Sequence, residues 1–256
     1  VRRRWWLVAR VLALLLGATA VGLALGNELD WDSFVVRTAP CTHRLVALTF
    51  DDGPHPEFTP EILAMLDRLH VKATFFMIGQ EMDRYPEIVR LVAAKGHAIG
   101  NHTYTHPHNL EACSQVQVAA ELERCEHTIE RLTGRRTRIF RPPRGLLDES
   151  VFAVATREGF RTILWTVCAD HHDAPTPPQM AKRVLAAVRP GAIILAHDGT
   201  FASRWKDVAA TPLIVRGLQA RGYRFVTVPE LLAHLAAARA QEVTPARRGW
   251  PPWERR

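Results

Sequence analysis

Two carboxylates stand side by side, Asp51 and Asp52, where a short apolar run over 45–50 gives way to the pair Gly53-Pro54. Adjacent acids repel and are costly to desolvate, so they belong where a metal ion, a cation or a shared proton offsets the charge. The same stretch is also good turn chemistry: Asp accepts local backbone bonds, Gly supplies positive φ, and Pro restrains the backbone of the turn. Further along, His102 and His106 are four residues apart. That spacing puts both imidazoles on one face if the segment makes a helical turn, and it suits two ligands of one metal. Two His and one carboxylate with positions left open is the ligand set of a hydrolytic metal site, and Asp51 or Asp52 can supply the acid. His97, His108, His171 and His172 are read as solvated or helix-flanking residues.

The elements that must hold these groups are legible from the hydrophobic pattern. Short apolar runs at 45–50, 73–78, 98–100, 138–140, 162–165, 192–196 and 223–228 predict strands. Helix-period segments at 60–69, 86–95, 114–132, 149–158, 178–188 and 208–220 separate them, with Ser114 as an N-cap and Gly96, Gly134, Gly159 and Gly222 just past the ends. Strict alternation of strand and helix predicts an α/β fold with a parallel sheet. About seven strands suit a distorted, incomplete (β/α) barrel, with an open doubly wound sheet as the alternative. Chemistry in such folds gathers at the carboxyl ends of the strands. Asp51 and Asp52 come after the first predicted strand, His102 and His106 after the third, Arg141 and Pro143 after the fourth, Asp170 after the fifth and His197 after the sixth.

The formal net charge of +7 invites a polyanion-binding reading, but the excess lies at the ends. Arg2, Arg3, Arg4 and Arg10 precede any acid, and from Arg239 onward five Arg face only Glu242 and Glu254. The body between is neutral, which argues against a nucleic-acid groove on the folded surface. The basic start is followed by an apolar stretch over 11–26, read as an export signal or a membrane anchor with the rest of the chain outside the cytoplasm. Cys41, Cys113, Cys125 and Cys168 permit up to two disulfides there. Cys113 and Cys125 are poor partners, because a helix between them, rising about 1.5 Å per residue, holds them too far apart. The expected organisation is a signal or anchor at 1–26, a linker at 27–43, a catalytic domain at 44–238 and a basic tail at 239–256 containing Trp250 and Trp253.

Four ordered motifs carry a family resemblance: Thr49-Phe50-Asp51-Asp52-Gly53-Pro54, His102-Thr103-Tyr104-Thr105-His106, Arg141-Pro142-Pro143-Arg144-Gly145 and Ile194-Leu195-Ala196-His197-Asp198. Together they resemble the polysaccharide deacetylases of carbohydrate esterase family 4. Connecting segments such as Val71-Lys72-Ala73-Thr74-Phe75-Phe76 and Gly96-His97-Ala98-Ile99-Gly100-Asn101 are similar too.

The resemblance implies a hydrolase that removes acetyl groups from N-acetylglucosamine-containing glycan, peptidoglycan or chitin-like, with one divalent metal: zinc first, with cobalt, nickel or manganese as alternatives. It implies that Asp52, His102 and His106 hold the metal and that Asp51, held by Arg141, is the general base. It further implies that the loop around Pro143 and Arg144 helps bind the oxyanion, that Leu195 lines the methyl pocket and that His197 protonates the leaving nitrogen. The sequence departs from the family pattern in two places. Arg144 stands where an aromatic residue is usual, and Cys168 stands where an Asp is usual, with the later Asp-Trp pair missing. Asp170 is therefore expected to orient His197, with Asp173 as the alternative. Trp205 is the expected sugar platform, and Trp165 is expected in the core. The partners implied are an acetylated glycan, the membrane if the N-terminal segment is uncleaved, and no nucleic acid, for a monomeric protein. The competing readings are an inactive glycan-binding module of the same fold, an O-acetyl xylan esterase and an amidohydrolase of small amides.

Overall fold

The computed structural model describes residues 35–39, 41 and 43–243. The expected signal or anchor at 1–26, and the tail residues after 243 with Trp250 and Trp253, lie outside the described residues. Among the described residues, nine parallel strands form one sheet: β1 (Val35–Val36), β2 (Leu45–Asp51), β3 (Thr74–Met77), β4 (Ala98–Asn101), β5 (Ile139–Phe140), β6 (Arg161–Ile163), β7 (Val167–Cys168), β8 (Ala192–His197) and β9 (Arg224–Phe225). The order is β1-β6-β5-β4-β3-β2-β8-β7, and β9 pairs with β2. Strands β6 and β7 are consecutive in sequence yet sit near opposite ends of this order, so the sheet curls. Thr38 bridges to Ala192 of β8, and the Ala39 N–H donates to the Gly191 carbonyl, which draws the two edges together. The result is the distorted barrel that the alternation predicts, not the open doubly wound sheet. It has two more strands than the expected seven, because β1 and β7 are too short to show a pattern. Strand β1 also places the start of the sheet inside the stretch 27–43 read as a linker.

Eight helices among the described residues surround the sheet: α1 (Phe58–Arg68), α2 (Gly79–Arg84), α3 (Pro86–Ala94), α4 (Gln115–Thr133), α5 (Glu149–Arg157), α6 (Pro177–Ala187), α7 (Trp205–Gln219) and α8 (Val228–Val243). Ser114 and Gln117 form a capping box at the start of α4, and Gly134 ends that helix in the left-handed region. Thr176 and Gln179 repeat the box at α6. Helix α8 runs past the expected domain end at 238 and takes up the first residues assigned to the tail.

Every residue of β2 is buried, and alternate residues serve different layers. Val46, Leu48 and Phe50 pack outward with Phe75, Ile62 and Leu63. Leu45 and Ala47 point inward and join Phe76, Ile139, Ile163 and Ile193, closed off by Val228, Leu231 and Leu232 of α8. Each such fully buried Leu, Ile or Phe contributes about 1.5–3 kcal/mol of transfer free energy. The inward series of β2 continues with Thr49 and Asp51, so the interior is apolar at the amino end of the strands and polar at the carboxyl end. This gradient positions the site.

Candidate active site

Asp51 and His197 are the last residues of β2 and β8, and they face each other as paired positions of neighbouring strands. Asp51 accepts a hydrogen bond from Arg141 Nη1 at 2.6 Å. Arg141 is fully buried, and its other donors are used on Thr49 Oγ1 and the carbonyls of Ile163 and Leu164, while its guanidinium lies 4.1 Å from the Phe76 ring centroid. Charge, hydrogen bonds and the ring face together make a buried cation tolerable. Trp165 packs near the same guanidinium, 5.7 Å from ring centroid to carbon, which is the core role expected of it.

Asp52 occupies the left-handed region at φ 74°, which turns its carboxylate toward the histidines. Its Oδ1 lies 3.4 Å from His102 Nε2 and 3.3 Å from His106 Nε2. Burial works against this carboxylate, but the imidazoles of His102, His197 and His106 outweigh it and bring its pKa down to about 2. His102 Nδ1 contacts the Arg141 carbonyl at 2.7 Å. A carbonyl only accepts, so Nδ1 carries the proton and Nε2 turns its lone pair toward Asp52. Burial, then the neighbouring His102, lowers the pKa of His106 and favours its neutral form. A lone pair facing a carboxylate calls for a cation between them. Bonds of about 2.0–2.1 Å at tetrahedral angles would hold ligand atoms about 3.3–3.4 Å apart, matching the separations here. Asp52, His102 and His106 therefore fit one divalent ion.

The segment between the histidines makes no helical turn. Thr103 and His106 are left-handed, at φ 66° and 55°, and the segment is a loop that leans on its neighbours. The carbonyls of Thr103 and Tyr104 accept the first N–H groups of α2, which a helix start leaves unpaired. Gly79 permits this approach, since a Cβ there would fall 2.3 Å from the Tyr104 ring. Glu121 of α4 accepts from the Tyr104 and Thr105 N–H groups, and the Asn101 side chain accepts from the Thr103 N–H.

On the other side of the site, His197 Nδ1 is 3.1 Å from Asp170 Oδ1, within ion-pair range though off the line of a good hydrogen bond. Burial disfavours the imidazolium, but Asp170 outweighs it and the pKa of His197 is raised. Asp170 is itself held low: burial pushes it up, and His197, the Cys168 thiol and Arg204 more than reverse this. The Cys168 Sγ–H donates to Asp170 Oδ1 at 3.0 Å, so this thiol supports the carboxylate. Burial and Asp170 raise its pKa and keep it protonated. Asp173 is turned away and exposed, pairing with His171 and Arg183. All four cysteines are free.

Sequence reasoning missed three groups here. Arg204 pairs with Asp170 and lies 3.7 Å from Asp52 Oδ2 and 3.9 Å from Asp207 Oδ2. Asp207 accepts the His197 N–H at 3.1 Å, and burial, then Asp170, raises its pKa to about 6. Asp198 is fully buried beside Gly53 and accepts from Thr59 at 2.6 Å. Asp170, His197 and Asp207 also lie within reach of a common ion. The Arg204 guanidinium already serves two of them, so a metal there would meet a cation.

The remaining expected residues fall at the rim and wall of the site. Leu195 is buried on the same face of β8 as His197. Pro143 is buried, whereas Arg144 is exposed in the left-handed region at φ 59° and reaches the His108 carbonyl at 3.4 Å. Trp205 is exposed at the start of α7, and Phe201 is exposed beside it.

A family model for polysaccharide deacetylases matches residues 39–163. A peptidoglycan-N-acetylglucosamine deacetylase of Bacillus cereus is 36% identical over 214 residues, covering 83% of this chain and 99% of that protein. A chitooligosaccharide deacetylase of a Bradyrhizobium species is 36% identical over 199 residues, covering 73% and 90%. Among solved structures, a peptidoglycan N-acetylglucosamine deacetylase in complex with a naphthalenyl-N-oxidanyl-benzamide superposes with a TM-score of 0.75 at 35% identity, over 79% of this chain and 95% of the other.

Proposed function

Because this chain belongs to the polysaccharide deacetylase family, we propose that it hydrolyses the acetamide of N-acetylglucosamine units in a peptidoglycan or chitin-like glycan. The observation that carries this reading is the pairing of Asp51 with His197 at the ends of adjacent strands, beside the group of Asp52, His102 and His106.

In this reading Asp52, His102 and His106 hold one divalent ion, zinc first among the candidates, which would polarise the acetyl carbonyl and lower the pKa of water. Asp51, whose charge Arg141 balances, takes a proton from the attacking water as its oxygen bonds to the acetyl carbon. The carbon–nitrogen bond then breaks, and His197 gives its proton to the sugar nitrogen, because an amine leaves poorly unless protonated. Acetate and the free amino sugar are the products. Asp170 holds His197 in its charged form, and Cys168 and Arg204 hold Asp170. Leu195 is assigned to the acetyl methyl, the loop at Pro143 and Arg144 to the oxyanion and sugar wall, and Trp205 to a sugar face. The protein acts outside the cytoplasm, tethered or released, in keeping with the basic start and apolar stretch of the sequence. Among the described residues no helix is long and apolar enough to cross a membrane.

The test is acetate release by the full chain, supplied with zinc or cobalt, from an N-acetylglucosamine hexamer, peptidoglycan and acetylxylan. Release from the first two supports the reading. Release from acetylxylan alone would make the protein an O-acetyl esterase, and tight glycan binding with no acetate at all would make it an inactive module.

A further inference from the structure

The loop that leaves β8 carries an aromatic ring that the mechanism above does not use. Phe201 stands four residues past His197 and is 57% exposed. A lone exposed apolar side chain is ordinary on a protein surface, but this one is held beside the site. The Arg204 guanidinium lies over its ring, 5.5 Å from the centroid, within cation–π range. The same guanidinium pairs with Asp170 and stands 3.7 Å from Asp52 Oδ2, so a single side chain separates the ring from the Asp52 carboxylate. The backbone is fastened as well. The Phe201 N–H donates to the Gly199 carbonyl at 2.9 Å, and the Phe201 carbonyl accepts from the Arg204 N–H at 3.0 Å. Gly199 is pressed against the loop of Asp52, where a Cβ would fall 2.0 Å from the Asp52 carbonyl oxygen. Thr200 between them is left-handed at φ 70°, a conformation that a β-branched residue keeps only where its surroundings impose it.

Trp205, the other exposed aromatic here, has a different setting. Asp207 of α7 faces the site, since it accepts the His197 N–H, and the buried face of the helix continues through Thr211, Ile214 and Leu218. Trp205 is two positions from Asp207, about 200° around the helix, and it heads an exposed stripe with Ala209 and Leu213. That places Trp205 on the outer face of α7, while Phe201 stays on the loop between His197 and Arg204.

We propose that Phe201 is the nearer sugar platform of the site, its ring packing on the pyranose next to the unit being deacetylated. The inference rests on the deacetylase reading above, in which His197 gives its proton to the sugar nitrogen. That step brings the glycan to the end of β8, where the loop carrying Phe201 begins. Arg204 and Asp170 stand between the ring and His197, which leaves the reacting unit to the acid and the neighbouring unit to Phe201. The match is chemical as well as spatial. An aromatic face is weakly negative, the C–H groups on the face of a pyranose are weakly positive, and both surfaces are flat. Arg204 fixes the ring from one side, so little side-chain freedom is left to lose on binding. Trp205, on the outer face of α7, is left a unit further along the glycan.

The experiment uses the full chain in non-ionic detergent, supplied with zinc, and an N-acetylglucosamine hexamer, with binding read by calorimetry and turnover by acetate release. Phe201→Ala should weaken binding and raise KM together, by roughly 3- to 10-fold, with kcat, metal content and melting temperature unchanged. Phe201→Trp should restore the affinity and Phe201→Leu should not, because Leu offers apolar surface without a π face. Trp205→Ala should weaken binding less than Phe201→Ala does. Unchanged binding in Phe201→Ala, a Leu variant as good as the parent, or a larger loss in Trp205→Ala would each overturn the proposal. So would a fall in kcat at unchanged KM with a displaced pH limb, because the ring would then act through Arg204 on His197. A parent that binds the hexamer and releases no acetate would fail the deacetylase reading instead, and the binding series would still decide the platform. A parent that does not bind the hexamer would overturn the platform.

Discussion

Asp51 is matched one to one by a cation held inside the sheet, whereas His197 shares two carboxylates with a long side chain, Arg204, that arrives from a loop. On the first side backbone carbonyls fix the polar groups that hold Asp51 and Asp52: Arg141 donates to the carbonyls of Ile163 and Leu164, and His102 to the carbonyl of Arg141. On the second, one imidazole and one guanidinium balance Asp170 and Asp207, with Cys168 lending a weak donor. The difference teaches where substitutions should register. Changes on the sheet side should remove a chemical step outright. Changes on the loop side should move the pH at which the step works.

The largest effect is expected from Asp52→Ala, which should take metal and acetate release away together, as read by elemental analysis and an acetate assay. A variant that keeps stoichiometric metal would shift the ligand set to other residues and break the comparison at its firmer side. His197→Ala comes next. It should slow acetate release by about 10²- to 10⁴-fold, the usual reach of a general acid, and leave metal content intact.

Asp170→Asn sharpens the comparison through pH. The charged form of His197 is the proton donor, so kcat/KM should fall as pH rises through its pKa, which Asp170 raises against burial. Without that carboxylate, burial and Arg204 both disfavour the imidazolium, and the alkaline limb should move to lower pH. A limb that stays in place would make Asp170 a packing residue only. Arg204→Gln should act in the opposite sense on the same limb, because Arg204 disfavours the charged His197.

The smallest effect concerns stability. Burial, with Asp52 and Asp51 nearby, raises the pKa of Asp198 from 3.8 to about 7. Between those values the folded protein binds more protons than the unfolded one, so this group's contribution falls as pH rises from about 4 to 7 and is level above. Asp198→Asn in the metal-free protein should therefore melt a few degrees higher than the parent at pH 8 and close to it at pH 4. An equal difference at both pH values would locate the effect in packing.

The elements that hold the sheet side were legible because buried parallel strands read as continuous apolar runs, as at 45–50 and 192–196, and the two acids and two histidines interrupt the chain at the ends of such runs. Strands β1 and β7, with two residues each, carry no periodicity to read. Helix α2 is a single short stretch between a glycine and Tyr85, and α8 is alanine-rich with little difference between its faces, so neither announced itself. The four-residue spacing at 102–106 left the conformation of that segment open. Its real shape depends on Asn101, Gly79 and Glu121, contacts that spacing does not encode. Arg204 and Asp207 lie ahead of the predicted helix at 208–220 and drew no role. The available signal was their place directly after the strand that ends in His197, where charged residues three apart fall on one face.

The most direct test of the account is Asp51→Asn, assayed for bound metal and for acetate released from an N-acetylglucosamine hexamer. The exchange keeps the size of the side chain and removes its basicity, while Asp52, His102 and His106 are left in place. The account predicts a full complement of metal with acetate release reduced by about 10²- to 10⁴-fold. Unreduced release with metal bound would contradict it, because the proton would then be leaving the attacking water by another route.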